Sequence, residues 1–374
     1  MSRVTCVCLL SVVFAAMPAG AQEAAAPAPV RARVWSAGPV DFSGLVDGYY
    51  SLNFDHPSSK INSLRNFDSQ ANQFSLNMAK LTMEHGPDPV GFRVDVGFGK
   101  AFEMIHASDP EADLFENILQ AYVSVKPAKW KGLQLDFGKF VTAAGAEVVE
   151  THTNWNYSRS LLFSWAAPYY HFGARATMPL NTHFSLGAQL VNGWNNVGDL
   201  NSGKTAGVTA ALGFSKVAWY NTYYVGPEKP DLNGGIRQEG LRHLYDTVLL
   251  LTPNPGMSFY VNFDYGVDKF KGSGNSRWVG VAAAARVAVN GWFALSPRVE
   301  WFNDADGFNT GVAQKLKEFT CTAEFKMKEG FLSRMEYRRD WSDMPFFDRG
   351  GVPASFKNQD TLLLGFVAYF GPNR

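Results

Sequence analysis

Residues 41–55, DFSGLVDGYYSLNFD, alternate between apolar and polar side chains. Val46, Tyr50 and Phe54 fall on one face of this stretch, and Asp47 falls among the polar residues of the other. A β-strand places successive side chains on opposite faces, so the stretch predicts a long strand with one apolar and one polar face.

Segments with the same alternation recur along the chain, and together they predict about 16 strands. Clear examples are VGFRVDVGFG from Val90, SFYVNFDYG from Ser258 and LLLGFVAYF from Leu362. They run for about 8 to 13 residues, which is longer than the common globular strand and close to the length of a membrane-spanning barrel strand. In FSLNMAKLTM the alternation slips near Lys80, and a β-bulge would explain the slip.

The connections between these segments alternate in length. The short ones have turn compositions, such as HGPDP at 85–89 and PNPG at 253–256. The others are predicted as long polar loops, centred near residues 63, 109, 155, 198, 234, 272, 309 and 350. Short periplasmic turns and long extracellular loops are typical of outer-membrane barrels, whereas a soluble sandwich has no reason to sort its loops in this way.

A closed barrel also explains the two faces of each strand. In hydrocarbon the backbone must satisfy its own hydrogen bonds, and among sheets only a closed barrel does so. After the N-terminal segment the sequence has no apolar helical run of 18 residues, which excludes a helical membrane protein on pattern. The predicted fold is therefore all-β, a transmembrane antiparallel up-and-down barrel of about 16 strands over residues 41–374, wide enough to hold water.

The N-terminus predicts export. Arg3 precedes the apolar run VCLLSVVFAAM, and AGA at 19–21 precedes a cleavage position, so residues 1–21 are predicted to be a signal peptide. Residues 22–40 are rich in Ala and Pro and are predicted to form a flexible periplasmic tail. Of the three cysteines only Cys321 lies outside the signal, so no disulfide within the mature chain is expected.

Charged residues recur on the polar faces of the strands, where they are predicted to face the lumen. Basic and acidic groups nearly balance there, as they do in the whole chain with 34 of each, so we expect weak ion selectivity and no nucleic-acid partner. The alternative is cross-strand pairing that stabilises the wall. The predicted lining residues on the strands are Arg93, Asp95, Arg175, Arg298, Glu300, Arg334, Glu336 and Arg338.

The longest connection, residues 141–169, is too apolar for a solvated loop because Leu161, Phe163 and Trp165 require burial. We predict that it folds inward and narrows the pore. The alternative is a lid that packs on neighbouring loops or on a second subunit. Its polar residues predicted to line the constriction are Glu147, Glu150, His152 and Arg159.

Enzyme motifs are missing from the sequence: there is no nucleophile elbow, no zinc-binding helix motif, no phosphate-binding glycine-rich loop and no paired cysteines. The seven histidines are scattered. We expect neither a cofactor nor a metal site. The alternatives to a channel are a structural or ligand-binding barrel with a closed lumen and, less favoured, a barrel enzyme.

Three segments, SGLVDGYYSLNFDHP, FSLNMAKLTMEHGPDPVGFRVDVGFG and FGKFVTAAGAEVVETHTNWNYSRSLLFSWAAPYYHFGAR, resemble the OmpL-like β-barrel porins (porin-2 type) of Gram-negative outer membranes. The resemblance implies passive diffusion of small hydrophilic solutes through an outer-membrane barrel, with residues 145–160 as the functional part of the third loop. Analogy with other 16-stranded porins suggests a homo-oligomer.

The C-terminus resembles the signal that the barrel assembly machinery recognises, with Gly365 followed by an apolar end at Phe370. It departs from that signal at Ala368, where an aromatic residue is expected, and in the residues GPNR after Phe370. The resemblance implies that outer-membrane lipid and the assembly machinery are partners of the chain.

Overall fold

The structure is a computed structural model, and it describes residues 35–371 with the exception of 234, 235, 238, 272, 273 and 329. The predicted signal peptide and most of the predicted tail, up to residue 34, lie outside the described residues. The last residues of that tail take part in the sheet, because Ser36–Ala37 pairs with Val40 and Asp41.

Within the described residues, one sheet contains 17 strands, of which one is the two-residue strand Ser36–Ala37. The other sixteen form the wall. They are β1 (Val40–Asn53), β2 (Phe74–His85), β3 (Val90–Phe98), β4 (Ile118–Val125), β5 (Gln134–Val141), β6 (Tyr170–Pro179), β7 (Phe184–Val191), β8 (Thr205–Gly213), β9 (Val217–Gly226), β10 (Arg242–Asn254), β11 (Met257–Phe270), β12 (Gly274–Ala288), β13 (Phe293–Asp304), β14 (Gln314–Lys328), β15 (Phe331–Ser342) and β16 (Asn358–Phe370).

Consecutive wall strands pair antiparallel, and β1 pairs with both β2 and β16, which closes the barrel. In the closing pair Tyr49 lies opposite Gly365. The predicted all-β, up-and-down, antiparallel barrel is therefore confirmed. Closure leaves the wall without a free edge, so every strand has partners on both sides.

The two faces of each strand have opposite environments, as the alternation predicted. On β1 the outward Val46 is 54% exposed, whereas the adjacent inward Asp47 is 0% exposed. The expected bulge occurs in β2, where the pairing steps from Asp47–Met78 to Gly48–Leu76 and leaves Asn77 as the extra residue. The extra residue lets Asn77 and Met78 both be buried and restores the phase at Lys80.

The loops are less regular than the sequence predicted. Only residues 271–273 separate β11 from β12, so the long loop predicted near 272 is wrong. Its polar residues belong instead to β11 and β12, whose 14 and 15 residues extend farther than the pattern indicated.

Other connections contain short elements of their own. The helices are α1 (Lys100–His106) and α2 (Ala112–Phe115), with 3-10 turns at Ala128–Trp130 and Thr151–Thr153 and a π-helical turn at Leu162–Ala166. Two small hairpins pair Leu232–Asn233 with Ile236–Arg237 and Phe347–Arg349 with Val352–Phe356. Among the described residues, no helix has the length and apolar character needed to cross a membrane.

Two loops contribute apolar side chains to the clusters that fill the barrel. The first loop, residues 54–73, supplies Phe67 and Leu64, and the third loop, residues 142–169, supplies Phe163 and Leu161. Phe67 and Phe163 pack with ring centroids 5.8 Å apart. Leu161 and Phe163 of the third loop are therefore buried within the barrel, and Trp165 is partly buried.

Candidate functional site

The third loop crosses the interior of the barrel. Near its start, the backbone N–H of Ala146 donates to Asn262 Oδ1 of β11 at 3.1 Å. Farther on, the Thr151 hydroxyl donates to the Asp47 carboxylate of β1, and Asn156 Nδ2 donates to the Ser296 carbonyl of β13 at 2.9 Å. The loop begins after β5 and ends before β6, about half-way around the barrel from β13, so it extends across the lumen.

Three arginines of the wall form hydrogen bonds with the backbone of the third loop. Arg298, Arg334 and Arg338 project inward from β13 and β15 and are at most 1% exposed. Their guanidinium groups donate to loop carbonyl oxygens, at 2.9 Å for Ser158, 2.6 Å for Thr151 and 2.6 Å for Arg159. Much of the loop lies outside helices and strands, and these arginines supply its carbonyls with the donors that water supplies to an exposed loop.

Wall carboxylates accept the loop N–H groups in the same region. Glu336 accepts from the backbone N–H of Tyr157 at 2.6 Å and of Ser158 at 3.0 Å, and Glu300 accepts from Leu161 at 2.8 Å. Such charge-assisted hydrogen bonds are about twice as strong as neutral ones. The wall residues that the sequence predicted as pore lining on β13 and β15 therefore bind the loop.

Glu147 and Arg159 stabilise the loop itself. Glu147 forms an ion pair with Arg298 at 2.7 Å and accepts from the backbone N–H of Ser160 at 2.6 Å. Arg159 donates back to the carbonyls of Val148 at 2.9 Å and Val149 at 2.6 Å. Both side chains are buried. Glu147 joins the loop to the wall, whereas Arg159 joins two stretches of the loop to each other.

Glu150 and His152 lie on the side of the loop that faces β2 and β16. Glu150 pairs with Lys80, which also pairs with Asp95 at 3.1 Å. His152 stacks on Tyr369 with ring centroids 4.9 Å apart. Burial, the largest influence, lowers the pKa of His152 to about 4, so the ring is neutral at pH 7.

Arg93 and Arg175 are the predicted lining residues on the wall that keep partial contact with solvent. Their side chains are 18% and 19% exposed. Arg93 pairs with Asp95 at 3.1 Å, and Arg175 pairs with Asp136 at 2.8 Å. That these two arginines line the pore stays a prediction. Asp95 itself is fully buried and accepts from Lys80, Arg93 and Gln120 of the wall.

Asp47 is the residue that the sequence reading missed as a site residue. It is fully buried and accepts from Asn77 at 2.6 Å, from Tyr157 Oη at 2.5 Å and from the Thr151 hydroxyl. Its place on the polar face was visible in the sequence, but its three partners come from β2 and from the third loop. No local pattern joins those segments.

The first loop contributes to the same interior. Arg65 donates to Asp340 of β15 at 2.7 Å and to Asp68 at 2.5 Å, and Asn66 donates to Tyr169 Oη at 2.7 Å. Arg65 and Asp340 are nearly fully buried. No pattern in the sequence indicated that this loop also enters the barrel.

The predicted assembly signal has local packing roles. Gly365 faces inward, and a Cβ there would lie 2.4 Å from ring atoms of Tyr157. Phe370 contacts Trp35, with ring centroids 4.7 Å apart. The absence of a side chain at Gly365 therefore leaves space for the Tyr157 ring of the third loop. Recognition of Gly365 and Phe370 by the assembly machinery stays a prediction.

A small cavity lies between the third loop and β10–β11. Its volume is about 20 Å³, and Glu147, Trp155, Val248 and Tyr260 are among its lining residues. That volume suits about one water molecule. Among the described residues, no group of three or more His, Cys, Asp or Glu side chains is placed to hold a metal ion.

The sequence model of the family described as beta-barrel porin-2, OmpL-like, matches residues 39–370. The chain belongs to this family. Its fold and family place it in the bacterial outer membrane as a porin-type barrel channel. No curated protein matches the chain.

Solved outer-membrane proteins share the architecture. An anion-selective porin from Comamonas acidovorans has a TM-score of 0.61 and 12% identity, over 88% of this chain and 99% of that chain. The trimer form of OmpT, an outer membrane protein of Vibrio cholerae, has a TM-score of 0.59 and 13% identity, over 90% and 100%. The outer membrane channel DcaP of Acinetobacter baumannii has a TM-score of 0.58 and 12% identity, over 89% and 96%. At these identities the likeness concerns the fold alone.

Proposed function

We propose that this porin passes small hydrophilic solutes by passive diffusion and that the third loop sets the narrowest part of the path. The observation that carries the proposal is the course of the loop across the lumen, where buried ion pairs and hydrogen bonds join it to β1, β11, β13 and β15. A loop fixed in this way narrows the barrel without depending on flexible contacts. The partners of this function are small hydrophilic solutes and outer-membrane lipid.

The path runs beside the loop, along β2–β6. This side of the interior contains Arg93 and Arg175, which stay partly exposed, and the Lys80–Glu150 pair that joins the loop to β2. Weak ion selectivity is part of the proposal because both exposed arginines have a carboxylate partner, Asp95 or Asp136. Paired charges of opposite sign give a narrow ring little net preference.

Single-channel recording of the refolded mature protein in a planar bilayer tests the proposal. We expect discrete conductance steps and a reversal potential near zero in a salt gradient. Deleting residues 146–160 removes the loop contacts with β1 and β13 and should raise the conductance. An unchanged conductance in the deletion variant would contradict the constriction, and the absence of conductance from a correctly folded barrel would contradict the channel.

A barrel with a closed lumen that binds a ligand is the second candidate. The burial of Arg298, Arg334 and Arg338 beneath the loop favours it, because these cations contact loop carbonyls and not solvent. Folded protein that does not conduct, while the deletion variant does, would support this alternative. The family and fold are those of porins, and the proposed function includes no catalytic step.

A further inference from the structure

Basic side chains project outward from one sector of the wall, where lipid is expected. They are Lys269, Arg277, Lys315, Lys317 and Arg339, on β11, β12, β14 and β15. Each lies within four residues of the extracellular end of its strand. Lys or Arg on the lipid face is strongly destabilising at the bilayer midplane and nearly neutral near the interface, so these positions correspond to the headgroup level.

Three of these residues form a compact patch with two tryptophans. Trp301, Lys317 and Trp341 lie directly opposite one another on the adjacent strands β13, β14 and β15. Lys315 lies two residues nearer the extracellular end, on the same outward face of β14. Indole rings prefer the membrane interface, and a lysine stem extends along apolar surface until its ammonium reaches the polar layer.

Arg339 completes the patch. Its guanidinium pairs with Asp360 at 3.4 Å and lies 5.1 Å from the ring centroid of Trp341. Asp360 also accepts from Tyr337 Oη at 2.5 Å, which fixes the carboxylate in place. The outer basic patch is therefore Lys315, Lys317 and Arg339 with Trp301 and Trp341.

The positive charge of the patch exceeds the negative charge of the acidic side chains next to it. Asp360 compensates Arg339 in part, and Asp343, at the edge of the patch, accepts from the backbone N–H of Lys315 at 2.7 Å. In the part of the chain that the structure describes, neither lysine ammonium group has an ion-pair or hydrogen-bond partner. Two uncompensated cations at the headgroup level are complementary to an anionic headgroup.

We propose that the outer basic patch binds the phosphate groups of a glycolipid in the outer leaflet. The phosphate accepts from Lys315 and Lys317, and the indole rings of Trp301 and Trp341 pack against the sugar and acyl-chain boundary. This inference uses the outer-membrane location and does not depend on conduction. An acidic segment of a second copy is the competing occupant.

Native mass spectrometry of the folded protein in neutral detergent tests the proposal, with bis-phosphorylated lipid A and dephosphorylated lipid A as probes. The variant is K315Q/K317Q/R339Q. The matched control, K129Q/K131Q/K216Q, removes three exposed lysines at the periplasmic turns. At about 1 kcal/mol for each basic residue near an anionic surface, the patch variant should bind the phosphorylated probe on the order of 100-fold more weakly, and the control should bind as wild type.

Several outcomes would overturn the proposal. They are equal affinity of the wild type for the two probes, equal loss in patch variant and control, or unchanged lipid binding with loss of an oligomer in the patch variant. The last result would assign the patch to a subunit contact. If the triple variant does not reach the folded, heat-modifiable form, K317Q alone should still weaken binding about fivefold.

Discussion

Replacing Arg298 with methionine is the substitution expected to loosen the third loop most directly. Arg298 is fully buried, and its guanidinium pairs with Glu147 of the loop at 2.7 Å and with Glu300 and Glu318 of the wall at 3.2 Å each. It also donates to the Ser158 carbonyl at 2.9 Å. Methionine keeps much of the side-chain length but removes the charge and every donor.

The expected cost follows from the carboxylates that lose their cation. Breaking a buried ion pair by removing one partner costs about 3–5 kcal/mol, because the remaining charge has neither water nor a counter-ion. Arg338, 3.8 Å from Glu318, relieves part of this cost at one carboxylate. We therefore expect the free energy of unfolding to fall by about 3–4 kcal/mol.

Urea unfolding of the refolded protein in lipid vesicles, followed by tryptophan fluorescence, measures the change. Arg93→Met is the matched control. Arg93 is 18% exposed, and in this variant its partner Asp95 still has a second cation, Lys80, whose Nζ lies 3.1 Å from the carboxylate. We expect this control to lose about 1 kcal/mol or less. The double variant R298M/E147Q should lose less than the sum of the two single variants, by about 0.5–3 kcal/mol, because the two residues share one interaction.

Conductance provides the second measurement. A loosened loop should give R298M larger or noisier conductance steps than wild type. The reasoning would be refuted by an unfolding free energy of R298M within about 0.5 kcal/mol of wild type, or by equal losses in R298M and R93M.

Three further predictions concern other contacts of the loops and the C-terminus. Gly365→Ala should lower the free energy of unfolding by about 1–3 kcal/mol, because its Cβ would lie 2.4 Å from the Tyr157 ring; Gly213→Ala, with nothing within 4 Å, is the control in the same urea titration. Burial, helped by Lys139, lowers the pKa of His106 from 6.5 to about 4. Between pH 4 and pH 6.5 this histidine is therefore protonated in the unfolded chain but neutral in the folded chain. The free energy of unfolding consequently falls as the pH drops from 6.5 to 4, by up to about 1.4 kcal/mol per pH unit. His106→Gln should flatten the measured pH dependence in that window, and the same slope in the variant and wild type would contradict the assignment. Phe370→Asp should reduce the heat-modifiable, folded band in membranes, and normal insertion of this variant would count against the assembly-signal interpretation.

Much of the wall could be predicted from the sequence, because strand alternation is a local property. Asp47 and Val46 differ in burial for the reason visible in the opening stretch: adjacent residues of a strand face opposite sides. The bulge at Asn77 was also visible, as a slip in that alternation. The prediction was wrong near residue 272, where the polar residues on either side resembled a long loop although β11 continues to Phe270 and β12 begins at Gly274.

The candidate site was predictable only in part. The apolar residues of the third loop indicated burial, and Phe163 is buried against Phe67. Their partners were not predictable, because Arg298 reaches Glu147 across 151 positions of sequence and Arg334 reaches Thr151 across 183. An arginine on the polar face of a strand has the same sequence pattern whether it meets water or a loop carbonyl.

The sequence by itself therefore determined the wall: the strand period, the direction of each side chain and the closed barrel that lets every backbone group pair within a membrane. Only the tertiary structure decided what fills the lumen that the wall encloses. The first and third loops enter the lumen and bury Asp47, Arg298, Arg334 and Arg338, while Arg93 and Arg175 keep contact with solvent. The physical reason is that strand periodicity acts between neighbouring residues, whereas the binding of a loop depends on donors, acceptors and charges that only the closed barrel brings together.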